Sequence, residues 1–176
     1  MLKPYSILDQ KAPLSYQEIL ADIQLVRRTG AREEAFYASR PFTYTYGAGQ
    51  GARTYHAQPF PSLIRAMAEF IAFEVSPLDL CFINHYPNER QHLGWHADDS
   101  PEQDDGAPIV VVSFGAERFL WVREKGTDTV DKILLPENSI FVMEAGMQQT
   151  HEHRIPKHDR ACGPRLSLTF RRSKHV

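Results

Sequence analysis

The spacing of apolar residues changes character along this chain. The first stretch, Met1 to Leu14, reads as an extended lead or a strand. Ser15-Tyr16-Gln17-Glu18 then forms a capping-box pattern, in which Ser15 caps a helix and Glu18 reaches back to it. Tyr16, Ile19, Leu20, Ile23 and Val26 fall on one helical face, and Gly30 is the expected stop. A second helix opens at Pro61 and Ser62. Leu63, Met67, Phe70 and Ile71 form its apolar stripe, and Ser76-Pro77 ends it. Such a stripe of Met and aromatic residues is core. Between the helices the pattern is aromatic and β-branched: Arg40 to Tyr46 and Arg53 to His56 read as extended, around the glycine loop of Gly47 to Gly51. Its tyrosines are either a half-buried hairpin or a mobile flap over a pocket.

After residue 79 the chain is almost all strands and turns. Strands are expected near 80–86, 93–98, 109–114, 118–123, 131–135, 139–143, 151–155 and 165–171. Leu80 to Tyr86 is continuous enough in its apolar, β-prone residues to be a buried strand. Ser100 to Gly106 is acidic and turn-like, and Pro136-Glu137-Asn138 punctuates a hairpin. Short strands at this spacing predict a sandwich or barrel, with the two helices packed outside one sheet.

Composition adds bounds. A chain of 176 residues with 42% hydrophobic and 24% charged residues is expected to form one domain. A net charge of −2 and a pI near 6.4 give no global argument for a polyanionic partner, so such a partner needs a local cationic patch. Two cysteines, Cys81 and Cys162, make no disulfide framework, and Cys81 is expected as a buried thiol. With no bilayer-length apolar run and no signal-peptide pattern, the expectation is a cytoplasmic monomer without membrane contact.

Two places carry candidate chemistry. His96 and Asp98 stand two apart, so on an extended backbone both face one side. A third ligand would complete a 2-His-1-carboxylate set, which leaves open positions on non-haem Fe(II). His151, His153 and His158 are candidates, and spacing does not choose between His151 and His153. The second place is Arg165 to Arg171, where Arg165, Ser167, Thr169 and Arg171 alternate with Leu166, Leu168 and Phe170. Either the polar face is solvated, or it faces inward and meets an anion such as a dicarboxylate.

Taken in order, Asn84-His85-Tyr86, His96-Ala97-Asp98, His153-Arg154-Ile155-Pro156 and Arg165-Leu166-Ser167-Leu168-Thr169-Phe170-Arg171 resemble the motifs of the AlkB family of Fe(II)/2-oxoglutarate dioxygenases, over roughly residues 38 to 172. Ser113-Phe114-Gly115 is similar to the family segment between the ligand motifs. The resemblance implies an α+β, mainly β fold: a double-stranded β-helix, or jelly roll, with two buttressing N-terminal helices. It implies one dioxygenase domain over 1–176, with 38–60 as a nucleotide-recognition flap. Iron would be held by His96, Asp98 and His153, the last selected by the Ile155-Pro156 that follows it. Asn84, Tyr86, Arg165, Ser167 and Arg171 would hold 2-oxoglutarate, with Ser167 standing where the family carries Asn. Tyr46 and Tyr55 resemble parts of the family's nucleotide-recognition lid, Asp99 is a further substrate candidate, and Arg123 with Lys125 forms either a local cationic contact for phosphate or an ordinary solvated hairpin end. Ser100 replaces an acidic group found in many relatives, leaving Asp99 as the nearest carboxylate. The implied reaction is oxidative demethylation of N-alkylated bases in single- or double-stranded DNA or RNA, consuming O2 and 2-oxoglutarate and releasing succinate, CO2 and formaldehyde. A hydroxylase of a protein or small molecule is the alternative enzyme, and a cupin-like metal-binding module without turnover the non-enzymatic one.

Overall fold

The structure is a computed structural model that describes residues 3–26, 32–46 and 52–174. Strands dominate it. The order is β1 (Tyr5–Ile7), α1 (Tyr16–Asp22), β2 (Glu33–Ala38), β3 (Thr43–Tyr46), β4 (Arg53–His56), β5 (Gln58–Pro59), α2 (Ser62–Glu74), β6 (Leu80–Tyr86), β7 (Leu93–His96), β8 (Ile109–Gly115), β9 (Arg118–Glu124), β10 (Asp131–Leu135), β11 (Ile140–Met143), α3 (Met147–Thr150), β12 (His151–Ile155) and β13 (Arg165–Arg171). A seven-stranded sheet runs β1-β11-β8-β13-β6-β2-β5, a four-stranded sheet runs β10-β9-β12-β7, and β3 and β4 pair by themselves.

The capping box forms as expected: Glu18 N–H donates to Ser15 Oγ and Ser15 N–H to Glu18 Oε2. The helix then ends earlier than the periodicity predicts. Ile23 is already extended, and Val26 pairs with Glu34 through two backbone hydrogen bonds of 2.8 and 3.0 Å. Joining the edge of β2 satisfies those amides, and it leaves Leu20 and Val26 exposed rather than on a buried stripe. Gly30 and the glycine loop 47–51 lie outside the described residues. In α2 the buried face is Ile64, Met67, Ala68 and Ile71, with Leu63 and Phe70 at its margin.

The alternation of β6 and β13 organises the core. Cys81 and Ile83, with Leu166, Leu168 and Phe170, point to the helix side and pack with Ile19, Ile64, Met67 and Ile71. Each such aliphatic side chain contributes roughly 1.5–3 kcal/mol by leaving water. On the other face Tyr86, Val111, Phe141 and Met143 meet Leu120, Val122, Leu135 and Ile155 of the smaller sheet. Helices therefore cover one side of the large sheet, and the small sheet covers the other. The polar residues of β6 and β13 are left between the two sheets. The end of β8 is fixed by Gly115 at φ 82°, where a Cβ would stand 2.4 Å from the Pro164 carbonyl oxygen.

Candidate active site

The small sheet supplies two of the possible metal ligands through an irregularity in pairing. Ile155 pairs with Leu93 and His153 with His96, so Gly94 and Trp95 together oppose Arg154 alone. This extra residue is a β-bulge. Strict alternation from Leu93 would send Trp95 inward and His96 outward. The bulge reverses that, bringing His96 into the core beside His153, with ring centroids 4.3 Å apart. Asp98 follows just after β7 ends, where its N–H donates to Gln148 Oε1 on α3 at 2.9 Å.

His96, Asp98 and His153 each present one ligand atom within 4.8 Å of the others. Both imidazole Nε2 atoms face the carboxylate, at 3.8 Å for His96 and 3.7 Å for His153. His96 Nδ1 is within 2.8 Å of the Gly94 carbonyl, so that nitrogen carries the proton and Nε2 is left as a donor to metal. Burial, reinforced by the His96 charge, lowers the pKa of His153 to about 3. Burial pushes Asp98 upward, but Arg171 and the two histidines outweigh it and hold the carboxyl below its usual range. A neutral His153 and an ionised Asp98 are the forms a divalent cation requires, and His96 turns Nε2 to the same point, so the donor set fits Fe(II). His151 is outside this group; its Nδ1 meets Thr150 Oγ1 at 2.8 Å.

Behind the triad, β6 and β13 pair antiparallel. The register sets Tyr86 against Arg165, Asn84 against Ser167 and Phe82 against Thr169. All six side chains line one pocket together with Arg171 and the triad. Arg165 is fully buried. Nη2 donates to Ser113 Oγ at 2.9 Å, while Nε and Nη1 have no partner. A buried guanidinium with two unused N–H groups fits a carboxylate. Arg171 is partly engaged: Nη2 contacts Asp98 Oδ1 at 2.7 Å, and only Nε is unpaired. The two inward arginines thus differ, one with unpaired nitrogens and one engaged with Asp98.

The outer wall is aromatic. Tyr44 and Tyr55, from the β3–β4 hairpin, and Phe82 line the same pocket. Both tyrosines are buried against Phe36 and Phe82. Tyr55 donates to Glu34 Oε2 at 2.9 Å, Glu34 pairs with Arg32 at 2.9 Å, and Arg32 Nε donates to Asn84 Oδ1 at 2.5 Å. This chain of contacts ties the hairpin to the pocket floor. Arg32 and Glu34 are absent from the sequence candidates, and Tyr44 was read only as one of the hairpin or flap tyrosines. The alternation of Tyr44 with Tyr46 was the available signal for the tyrosine, whereas Arg32 and Glu34 carry no motif.

The other sequence candidates lie elsewhere. Asp99 is exposed and stands 3.7 Å from Lys125, and Arg123 is paired with Glu152 at 2.6 Å; neither lines the pocket. The Tyr46 side chain falls outside the described residues.

Two facing sheets thus enclose a His-Asp-His group that could hold a metal ion, with a buried arginine beside it. The sequence agrees: residues 8–171 match the 2OG-Fe(II) oxygenase superfamily, and the chain belongs to it. That family uses Fe(II), 2-oxoglutarate and O2. Within it the resemblance is to AlkB proteins. The chain is 30% identical over 173 residues to the human alpha-ketoglutarate-dependent dioxygenase alkB homolog 3, covering 88% of this chain and 59% of that protein. It is 29% identical over 150 residues to the mouse DNA oxidative demethylase ALKBH2, covering 80% of this chain and 61% of that protein. The chain therefore spans about three-fifths of these relatives. The solved structure of OsALKBH1 superposes with a TM-score of 0.55 at 20% identity, over 81% of this chain and 78% of that one, a likeness of fold.

Proposed function

We propose that this chain oxidatively demethylates N-alkylated bases in DNA or RNA, working as one jelly-roll domain over 1–176. The observation that carries this is the aromatic wall of Tyr44, Tyr55 and Phe82 on the same pocket as the triad. Flat rings beside a metal site suit an extruded nucleobase, and base–aromatic stacking is worth about 1–3 kcal/mol, comparable to the cost of flipping.

In this scheme His96, Asp98 and His153 hold Fe(II). Arg165 receives one carboxylate of 2-oxoglutarate, with Asn84, Tyr86 and Ser167 around it, and Arg171 steadies Asp98 while offering Nε to the cosubstrate. Bound Fe(II) and 2-oxoglutarate supply the oxidation of an N-methyl group by O2, after which the hydroxymethyl base releases formaldehyde. The chain orients the reactants and excludes water. Val111, Leu120, Leu135 and Ile155 make the inner wall apolar. The hairpin within 38–60 serves as the flap, with Tyr46 and Tyr55 contacting the nucleotide and Asp99 and Arg123 nearer its flanks. Two free thiols, Cys81 and Cys162, suit a monomer in a reducing cytoplasm.

The test is succinate and formaldehyde release on oligonucleotides carrying one N-methyladenine. Formaldehyde in step with succinate supports demethylation. Succinate without formaldehyde would favour hydroxylation of another substrate, and absence of both would favour a binding module.

A further inference from the structure

Beyond the pocket, the outer face of the small sheet carries an array of cations and rings, of which the proposed function uses only Arg123. The β-bulge that turns His96 inward turns Trp95 outward. Arg123 lies over the Trp95 ring at 4.2 Å, Arg154 lies over Trp95 at 4.8 Å and over Trp121 at 4.2 Å, and Lys132 lies over Trp121 at 4.7 Å. The four strands thus present alternating guanidinium, indole, guanidinium, indole and ammonium groups. Among the described residues Glu152 is the one carboxylate on this stripe, and it pairs with Arg123. Arg154 has a buried Nε without a hydrogen-bond partner and no ion pair among the described residues. Phe119, two residues before Trp121 on the same face, is 39% exposed.

We infer, building on the nucleic-acid substrate proposed above, that this cation–indole ladder binds the single-stranded tract flanking the target base. Charge complementarity argues for it: cations outnumber carboxylates on this stripe of an otherwise acidic chain. Cations spaced by ring faces are the recurring means of holding single strands without sequence preference. Reach argues for it too. Trp95 and His96 are adjacent on β7, the edge strand of the small sheet, so a tract leaving the pocket has only that edge to round.

The only two tryptophans in the chain, Trp95 and Trp121, both belong to this ladder. Intrinsic tryptophan fluorescence therefore reports on this face alone. The experiment titrates the full chain with unmethylated single-stranded oligothymidylate about 12 nucleotides long, within the usual span of such sites. Saturable quenching is expected. Arg154→Gln and the exposed-site variant Lys132→Glu should each weaken it about tenfold, and each lost cation should reduce the salt slope of binding by about 0.7. Thermal denaturation verifies folding, and Lys132→Glu keeps the test open if Arg154→Gln is unstable. Absence of quenching, equal affinity in Lys132→Glu, or quenching to the same depth by polyglutamate would each overturn the assignment, the last by making this a general anion surface. Demethylation is measured in parallel. Turnover without quenching removes the ladder and leaves the activity, whereas quenching without turnover keeps the ladder as a nucleic-acid surface and removes the activity.

Discussion

Arg165 offers a test with two readouts of opposite sign. It is fully buried, its pKa is pulled down by burial to about 10, and it has no carboxylate partner among the described residues. That displacement corresponds to a disfavoured charge costing on the order of 3 kcal/mol. Arg165→Met keeps much of the volume and removes the charge, so the ligand-free protein should gain about 1–3 kcal/mol. For a domain of this size the gain is about 2–12 °C in Tm. Binding of 2-oxoglutarate should move the other way. Nε and Nη1 would each donate a charge-assisted hydrogen bond worth about 1.5–3 kcal/mol, so losing both costs at least about 3 kcal/mol, roughly a hundredfold in affinity. Thermal shift with Mn(II) in place of Fe(II), titrated with 2-oxoglutarate, reads both effects. The wild type should rise in Tm with 2-oxoglutarate, and the variant should start higher and rise little at the same concentrations. A variant that starts much lower and still responds at wild-type concentrations would refute the assignment of Arg165 as a carboxylate site.

Three further outcomes follow from the same geometry. His153→Ala should lose bound iron while His151→Ala retains it, as measured by metal analysis after reconstitution; the reverse would reassign the ligand. In the metal-free protein the folded pKa of His153 lies below its unfolded value, so the unfolded chain binds the extra proton, and stability should fall as pH drops from about 6.5 toward 3. Denaturant titrations across that window check the sign, and His153→Gln should flatten the trend. Gly115→Ala must both adopt a positive φ and clash with the Pro164 carbonyl, so it should cost at least about 3 kcal/mol, read as a lower Tm.

The strands after residue 79 were legible in both sheets, through a continuous apolar run in β6 and strict alternation in β13. β6, β10, β12 and β13 have the boundaries expected of them, and the shared face of Arg165, Ser167, Thr169 and Arg171 follows from the period of β13. Inside or outside was open until the partner strands were known: Arg165 faces inward because β6 and β8 flank it and the small sheet covers it. Three features were hidden for identifiable reasons. Strand β2 begins with two glutamates, and the helical period before it extends past the true end of α1, so tertiary pairing of Val26 with Glu34 overrode a local signal. The short helix α3 has too few residues to show a period. The bulge at Gly94 and Trp95 has no pattern of its own, yet it decides which of Trp95 and His96 reaches the core. The histidine triad was accessible through family resemblance, whereas the Arg32–Glu34–Tyr55 contacts depend on strand pairing that one sequence does not declare.

The central claim is that the triad, Arg165 and the aromatic wall act together as a nucleobase demethylase. It is tested most directly by incubating the iron-loaded chain with a single-stranded oligonucleotide bearing one N-methyladenine, and following the mass of the oligonucleotide alongside succinate. The account predicts loss of one methyl group per succinate formed, abolished by His153→Ala and strongly reduced by Tyr44→Ala with Tyr55→Ala. Succinate formation with an unchanged oligonucleotide mass, or demethylation that persists in the double tyrosine variant, would contradict it.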